Sequence, residues 1–94
     1  MAAYLVGHIR VKQPALWQKY VSGVGNSLAG HDAEVVFRGR LQKVLAGHDE
    51  RDQVVIIRFA DHTALDNWFD SPGYQSLIAV RDQAADVVIT SYEE

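Results

Sequence analysis

The sequence predicts an α+β domain of order βαββαβ, in which helices cover one face of a four-stranded antiparallel sheet. Three observations predict this order. Four segments carry strand-like patterns, helical spacing separates the first from the second and the third from the fourth, and a charged turn joins the middle two. The right-handed crossovers of such a split βαβ arrangement place both helical layers on the same side of the sheet.

The composition predicts one globular domain over residues 1–94. Of the 94 residues, 48% are apolar, which is enough for one core in a chain near the lower limit of independent stability. There is no cysteine, so disulfides, thiolate nucleophiles and cysteine-based metal sites are excluded and a cytoplasmic location is expected. The 12 acidic side chains outnumber the 9 Lys and Arg, and long apolar runs are absent, so we expect neither nucleic acid nor a membrane as a partner.

Two periodicities predict the first strand and the first helix. The segment Ala3–Val11 alternates between two faces and is rich in β-forming residues, which is typical of a strand. Pro14 suits the first turn of a helix and Gly30 is a natural stop, so a helix is predicted from Pro14 to about Ala29. Its apolar stripe consists of Trp17, Val21, Val24 and Leu28.

The two middle strands are predicted to be joined by a charged hairpin loop. The segment Glu34–Leu45 is typical of a long strand, and Gly39 within it predicts a bulge or a bend. Residues 47–52 are glycine, histidine and charged residues, as in a solvated loop. The third strand covers Gln53–Ala60, and because its centre is apolar on both faces we expect it inside the sheet.

The clearest local signal lies between the last two predicted helices. Ser71 is a favourable N-cap, and Pro72 is a favourable first helical residue because its missing N–H is not needed there. A new helix should therefore begin at this corner. The predicted bounds are Asp61 or Thr63 to about Asp70 for the first of these helices, Pro72 to about Asp82 for the second, and Ala84–Tyr92 for the fourth strand.

The alternation of the strands predicts which sheet face the helices cover. The more uniformly apolar sets are expected beneath the helices, namely Leu5, Ile9, Val11, Val55, Ile57 and Phe59. The opposite face, called the bare face below, is predicted to carry Tyr4, Val6, His8, Arg10, Val54, Ile56 and Arg58. An apolar patch of this size is seldom left in water, so a second subunit, a ligand or both should cover it.

Three segments resemble one known family. They are the stretch Asn67–Gln75 (NWFDSPGYQ) together with Arg81, the tripeptide Phe-Arg-Gly at 37–39, and the strand end Arg-Phe-Ala-Asp at 58–61. On these residues nearly the whole chain resembles the DUF1330 family. The resemblance implies a ferredoxin-like protomer of the dimeric α+β barrel superfamily, which forms a homodimer through its bare sheet faces. Relatives in that superfamily include cofactor-free monooxygenases, heme-degrading monooxygenases, isomerases and ligand-sensing domains, so the fold does not choose an activity.

Arg38, Arg58 and His8 are the predicted catalytic residues. In the predicted register the two arginines lie on the bare face of neighbouring strands, where they would converge on one small anion or polarised carbonyl. The alternative is that each forms an ion pair with an acid of its own subunit or of a partner. His8, on the same face, would remove a proton from a phenol, enol or carbon acid, or else it is a hydrogen-bonded structural histidine.

Five further side chains are candidates for substrate binding. Tyr4 and Ile56 belong to the bare face, where they would line the same cavity or merely pack in it. Trp68 lies on an apolar helical stripe, for which core packing is the alternative. Tyr74 and Arg81 are two helical turns apart on one face, within reach of a pocket mouth, with helix packing and an ion pair as the alternative.

These residues support two hypotheses about function. The first is a cofactor-independent enzyme that transfers a proton on a small carbonyl, enol or phenolic metabolite. The second is a non-catalytic module of the same shape that binds or senses a small molecule; a third possibility is that dimerisation consumes the whole bare face. Neither a metal nor another cofactor is expected, because no two histidines have metal-ligand spacing and no nucleotide-binding motif occurs.

Overall fold

A computed structural model describes residues 1–94. Its helices and strands are β1 Ala3–Val11, α1 Pro14–Ser27, β2 Ala33–Arg40, β3 Gln53–Phe59, α2 His62–Phe69, α3 Pro72–Gln75, α4 Ile78–Ala84 and β4 Ala85–Glu93. The strands form one sheet in the order β2-β3-β1-β4, and every neighbouring pair is antiparallel. The predicted α+β fold class is confirmed, with β1 and β3 at the centre of the sheet.

The core lies between the sheet and the helices. The central strands contribute alternate residues to it, including Leu5 on β1 and Ile57 and Phe59 on β3, all of them buried. The helices cover these residues with four buried side chains, which are Tyr20, Leu65, Trp68 and Tyr74. The helix-covered face of β1 and β3 is therefore the one that the alternation predicts.

Side-chain caps mark the starts of α2 and α3. Asp61 accepts a hydrogen bond from the backbone N–H of Ala64 at 2.8 Å, so of the two candidate caps Asp61 is the one used. At the predicted corner, the hydroxyl of Ser71 accepts from the N–H of Tyr74 at 3.3 Å and donates to the carbonyl of Trp68 at 2.6 Å. This one hydroxyl ties the end of α2 to the start of α3 and so fixes the angle between them.

Two predicted bounds are wrong. The second strand ends at Arg40 rather than Leu45, because the residues that would pair with its extension form the charged segment 48–52, which has low strand propensity. The predicted single helix from Pro72 to about Asp82 is divided into α3 and α4. Between them the Leu77 N–H bonds to the carbonyl of Tyr74 at 2.8 Å, a tight i→i+3 turn that interrupts the α-helical ladder.

A bulge in β2 changes which side chains face the helices. Val35 pairs with Ile57, but Phe37 pairs with Ile56, so Val36 is an extra residue in the ladder. An extra residue in a strand moves each later side chain of that strand to the opposite face of the sheet. The bulge therefore lies at Val36 and not at the predicted Gly39. The glycine instead makes room for the ring of Phe37, which would lie 2.7 Å from a Cβ at that position.

Candidate functional site

A cavity opens between the sheet and α1, on the face that the helices cover. It has 16 lining residues, 12 of them hydrophobic, and a cavity volume of about 120 Å³. This volume is close to the roughly 150 Å³ of an apolar protein cavity that binds benzene, so the cavity suits a compact ligand. Gly7 belongs to its wall at the centre of β1, where a side chain would project toward Val55. The missing side chain at this position contributes to the open space.

Arg38 is the one charged side chain in the lining of this cavity. After the bulge Arg38 pairs with Val55. Val55 lies on the same sheet face as the core residue Ile57, two positions further along β3, so Arg38 belongs to the helix-covered face. Its side chain is exposed, and none of the ion pairs in the chain involves it. A guanidinium without an acidic partner beside apolar walls is suited to bind a carboxylate or another anionic oxygen.

The predicted convergence of Arg38 and Arg58 is wrong. Arg58 pairs with Tyr4 and Glu34 on the bare face, so the sheet separates it from Arg38. Its guanidinium lies 3.7 Å from the carboxylate of Glu34, with both side chains largely exposed. The ion pair that was the alternative for Arg58 is thus present. The misplacement of Arg38 has one physical cause, which is the extra residue at Val36.

The other candidates on the bare face also lie outside the cavity. His8 pairs with Val54 and Val88, and its Nδ1 lies 3.7 Å from a carboxylate oxygen of Asp49 in the β2–β3 loop. Tyr4 and Ile56 share this face and are half-buried. The structure therefore does not bring His8 together with Arg38, and the cavity lining contains no histidine or carboxylate.

Trp68 forms part of the cavity wall and of the core. It is 2% exposed, and its ring lies against Tyr74 with the centroids 4.5 Å apart. Its indole N–H donates to the hydroxyl of Ser27 at 3.0 Å, and that hydroxyl donates to the carbonyl of Val24 at 2.7 Å. Because its single donor is already used, Trp68 offers a ligand only an apolar surface.

Tyr74 and Arg81 form a hydrogen-bonded chain with Tyr20, in which the two tyrosines are buried and Arg81 is partly exposed. Nη1 of Arg81 donates to the Tyr74 hydroxyl at 3.0 Å, and the Tyr74 and Tyr20 hydroxyls are 2.9 Å apart. Oδ1 of Asp82 accepts a hydrogen bond from Nε of Arg81 at 3.1 Å and also lies 3.1 Å from Nη2. Burial lowers the pKa of Arg81, but the hydrogen bonds to Tyr74 and Asp82 outweigh it and raise the pKa above its ordinary value. Tyr74 and Arg81, predicted to bind substrate, are thus not part of the cavity lining and are connected to it only through Tyr20.

Sequence reasoning missed two aromatic residues of the site. Trp17 and Tyr20 both line the cavity, and their rings stack with centroids 5.1 Å apart. The predicted stripe of α1 included Trp17 only as a packing residue and omitted Tyr20. The helical spacing could have identified Tyr20, since residues 17, 20, 21 and 24 follow the i, i+3, i+4, i+7 pattern of one helix face.

No three His, Asp or Glu side chains come together in a way that could hold a metal ion. No helix combines the length and the apolar character that a membrane span requires.

Comparison with protein families identifies one match. A family model described as a domain of unknown function, DUF1330, matches residues 2–93. A comparison with curated proteins found no match.

Solved structures share this fold at low sequence identity. A protein of unknown function from Rhodopseudomonas palustris is 16% identical with a TM-score of 0.84, over 99% of this chain and 82% of that one. A dimeric ferredoxin-like protein of unknown function from Thermobifida fusca is 14% identical with a TM-score of 0.69, over 100% and 92% of the two chains. SnoaB, a cofactor-independent oxygenase from Streptomyces nogalater, is 16% identical with a TM-score of 0.68, over 99% and 92%. At these identities the likeness shows the fold alone.

Proposed function

The chain belongs to the DUF1330 family, and from that premise we propose that it binds a compact, largely apolar anion in the cavity between its sheet and α1. The observation that carries this proposal is the position of Arg38, a guanidinium without an acidic partner in an otherwise apolar lining. Structural arginines are commonly held by acids of their own chain, as Arg58 is by Glu34. Arg38 is the cation of the site that is free to bind a ligand.

The cavity supports a ligand with one anionic end and an aromatic or alicyclic body. Aliphatic side chains of the sheet and the rings of Trp17 and Trp68 offer contact to an apolar body. A carboxylate, phenolate or enolate oxygen would accept paired hydrogen bonds from Arg38 near the mouth. Binding of a hydrophilic dianion is disfavoured, because the walls have little to replace its hydration.

We also propose that two protomers associate through the bare face. Several apolar side chains of this face are exposed in the single chain, among them Phe37 (52%), Val88 (39%) and Tyr92 (58%). Similar structures are described as dimeric ferredoxin-like proteins. In this arrangement each protomer keeps its own cavity on the far side of the sheet, and His8 and Arg58 belong to the interface region instead of the binding site.

Proton transfer on a bound phenol or enol is the second candidate function. The likeness to a cofactor-independent oxygenase and the guanidinium at the cavity favour it, because Arg38 would stabilise the ionised ligand. The cavity lining supplies no histidine or carboxylate to take the proton, so the geometry supports binding more strongly than base-catalysed turnover. Recovery of a bound compound unchanged after long incubation separates binding from turnover.

Replacement of Arg38 by glutamine tests the proposed site. We expect the wild type to bind 2-naphthoate, and Arg38→Gln to weaken that binding by roughly 10- to 100-fold, the usual weight of hydrogen bonds to a charged group. Binding of the neutral analogue 2-acetylnaphthalene should change little, since it has no anionic oxygen. Isothermal titration calorimetry on both compounds measures the two effects.

Two further arginine variants are the controls for this experiment. Arg40→Gln removes the same charge from the same strand outside the cavity lining and should leave 2-naphthoate binding within about twofold of wild type. Loss of binding in Arg58→Gln together with normal binding in Arg38→Gln would assign the ligand to the bare face and overturn the proposal. Failure of the wild type to bind any naphthoate would also overturn it.

A further inference from the structure

A chain of three polar side chains runs from the protein surface to the cavity wall. Arg81, on α4, donates to the hydroxyl of Tyr74, and this hydroxyl is hydrogen bonded to that of Tyr20 on α1. Tyr74 is 0% exposed, whereas Tyr20 is a lining residue of the cavity. The network thus connects a charged group outside the cavity with a tyrosine of the cavity wall.

The direction of these hydrogen bonds follows from counting protons. The two phenols carry one proton each, and only one of these protons can occupy the bond between their oxygens. If Tyr20 donated to Tyr74, the proton of Tyr74 would have no acceptor, in a side chain that is 0% exposed and outside the cavity lining. If Tyr74 donates to Tyr20, the proton without a partner is that of Tyr20, a residue of the cavity lining, where water or a ligand can accept it. The second arrangement is therefore favoured, and it leaves the O–H of Tyr20 free.

We propose that Tyr20 is a second ligand-binding residue of the cavity, whose hydroxyl donates a hydrogen bond to a carbonyl or anionic oxygen of the bound molecule. Tyr74 and Arg81 are its positioning residues: they hold the Tyr20 oxygen as an acceptor so that its proton is available to the ligand. This inference rests on the proposed function, because it requires a ligand in the cavity. It narrows the ligand class to apolar anions that carry a second oxygen, such as keto- or hydroxy-substituted aromatic carboxylates.

The surroundings of Tyr20 favour a donor that keeps its proton. Burial raises the pKa of the Tyr20 hydroxyl above its ordinary range, and the hydrogen bond to Tyr74 raises it further. The phenol is consequently neutral at any physiological pH. The ring of Trp17 stacks on it, which restricts the orientation of the Tyr20 side chain and reduces the entropy lost on binding.

A matched pair of ligands tests the role of Tyr20. The 4-, 5- and 6-acetyl-2-naphthoates carry a carbonyl at different ring positions, and the corresponding isopropyl-2-naphthoates have nearly the same shape without an acceptor. We expect the best-bound acetyl isomer to bind the wild type more tightly than its isopropyl partner. In Tyr20→Phe this preference should fall by about 3- to 10-fold, the range of one neutral hydrogen bond, while isopropyl binding stays within twofold.

Two phenol variants and one spectroscopic measurement complete the test. Tyr92→Phe removes an exposed hydroxyl from the bare face and should leave the preference unchanged. Tyr74→Phe keeps the Tyr20 hydroxyl but removes its orienting partner, so its preference should lie between those of wild type and Tyr20→Phe. In the wild-type complex, the infrared stretch of a ¹³C-labelled acetyl carbonyl should move to lower wavenumber than in an apolar solvent.

The outcomes separate this inference from the proposed function. The role of Tyr20 is overturned if wild type and Tyr20→Phe prefer the acetyl over the isopropyl ligand equally, or if the carbonyl stretch is unshifted. In either case the proposed function still stands, provided that the isopropyl compounds bind in an Arg38-dependent way. If Tyr74→Phe keeps the full wild-type preference for the acetyl ligand, the positioning role of Tyr74 is overturned. If the isopropyl compounds themselves bind independently of Arg38, the proposed function fails first and this inference fails with it.

Discussion

Replacement of Trp68 by alanine is expected to lower the free energy of unfolding by about 3–5 kcal/mol, the usual cost of deleting a large buried aromatic side chain. Trp68 is 2% exposed and packs against Phe59 and Tyr74, so the deletion leaves a void at the junction of sheet, α2 and α3. A domain of this size has a total stability of only about 5–15 kcal/mol, so the loss is a large part of it. Chemical denaturation at fixed protein concentration measures the effect.

Trp17→Ala is the matched control for this prediction. The same deletion at a half-buried position of α1 should cost clearly less stability, because part of that ring already faces the open cavity. A third variant, Ser27→Ala, leaves the indole N–H of Trp68 without its acceptor and should cost about 1–3 kcal/mol. A smaller loss in Trp68→Ala than in Trp17→Ala would show that the Trp68 ring is not a structural wall of the cavity.

Replacement of Ile56 by glutamate is expected to convert a dimer into a folded monomer. Ile56 lies on the bare face at β3, between Phe37 on β2 and Val6 on β1. In a dimer formed through this face, each copy would bury an unpaired carboxylate, and we expect dissociation to increase by at least about 100-fold. Light scattering at micromolar concentration should give about twice the protomer mass for wild type and one protomer mass for the variant.

The control for Ile56→Glu places the same charge on the other side of the molecule. Ser22 is an exposed residue of α1, so Ser22→Glu should leave the dimer intact. Circular dichroism should show the native secondary structure in both variants. A dimeric Ile56→Glu protein, or a monomeric wild type, contradicts association through the bare face. Because the cavity lies on the opposite side of the sheet, monomeric Ile56→Glu should retain Arg38-dependent binding of 2-naphthoate.

The order of elements could be predicted from the sequence because its signals are local. The N-cap Ser71 followed by Pro72 identifies the corner before α3 without knowledge of any distant residue. Alternation along β1 likewise identified the face carried by Leu5 and Ile9, since that strand has no irregularity. Such features depend on a few neighbouring residues and so survive into the folded chain.

The candidate site could not be predicted because it depends on strand pairing. The extra residue at Val36 is defined only by its partners on β3, and nothing in its own side chain distinguishes it from Val35. One such residue moves Arg38 from the bare face to the cavity and separates it from Arg58 and His8. The proposed role of Tyr20 depends in the same way on its hydrogen bond to Tyr74 and, through Tyr74, on Arg81, both of which are more than fifty residues away in sequence.

Determining a crystal structure of the protein with 6-bromo-2-naphthoate would test most directly the claim that the cavity binds an apolar anion, since the bromine locates the ligand by anomalous scattering. We predict that the ring lies between the sheet and α1, with its carboxylate on the guanidinium of Arg38. Bromine density on the bare face, beside His8 and Arg58, with the cavity left to solvent, would contradict the account.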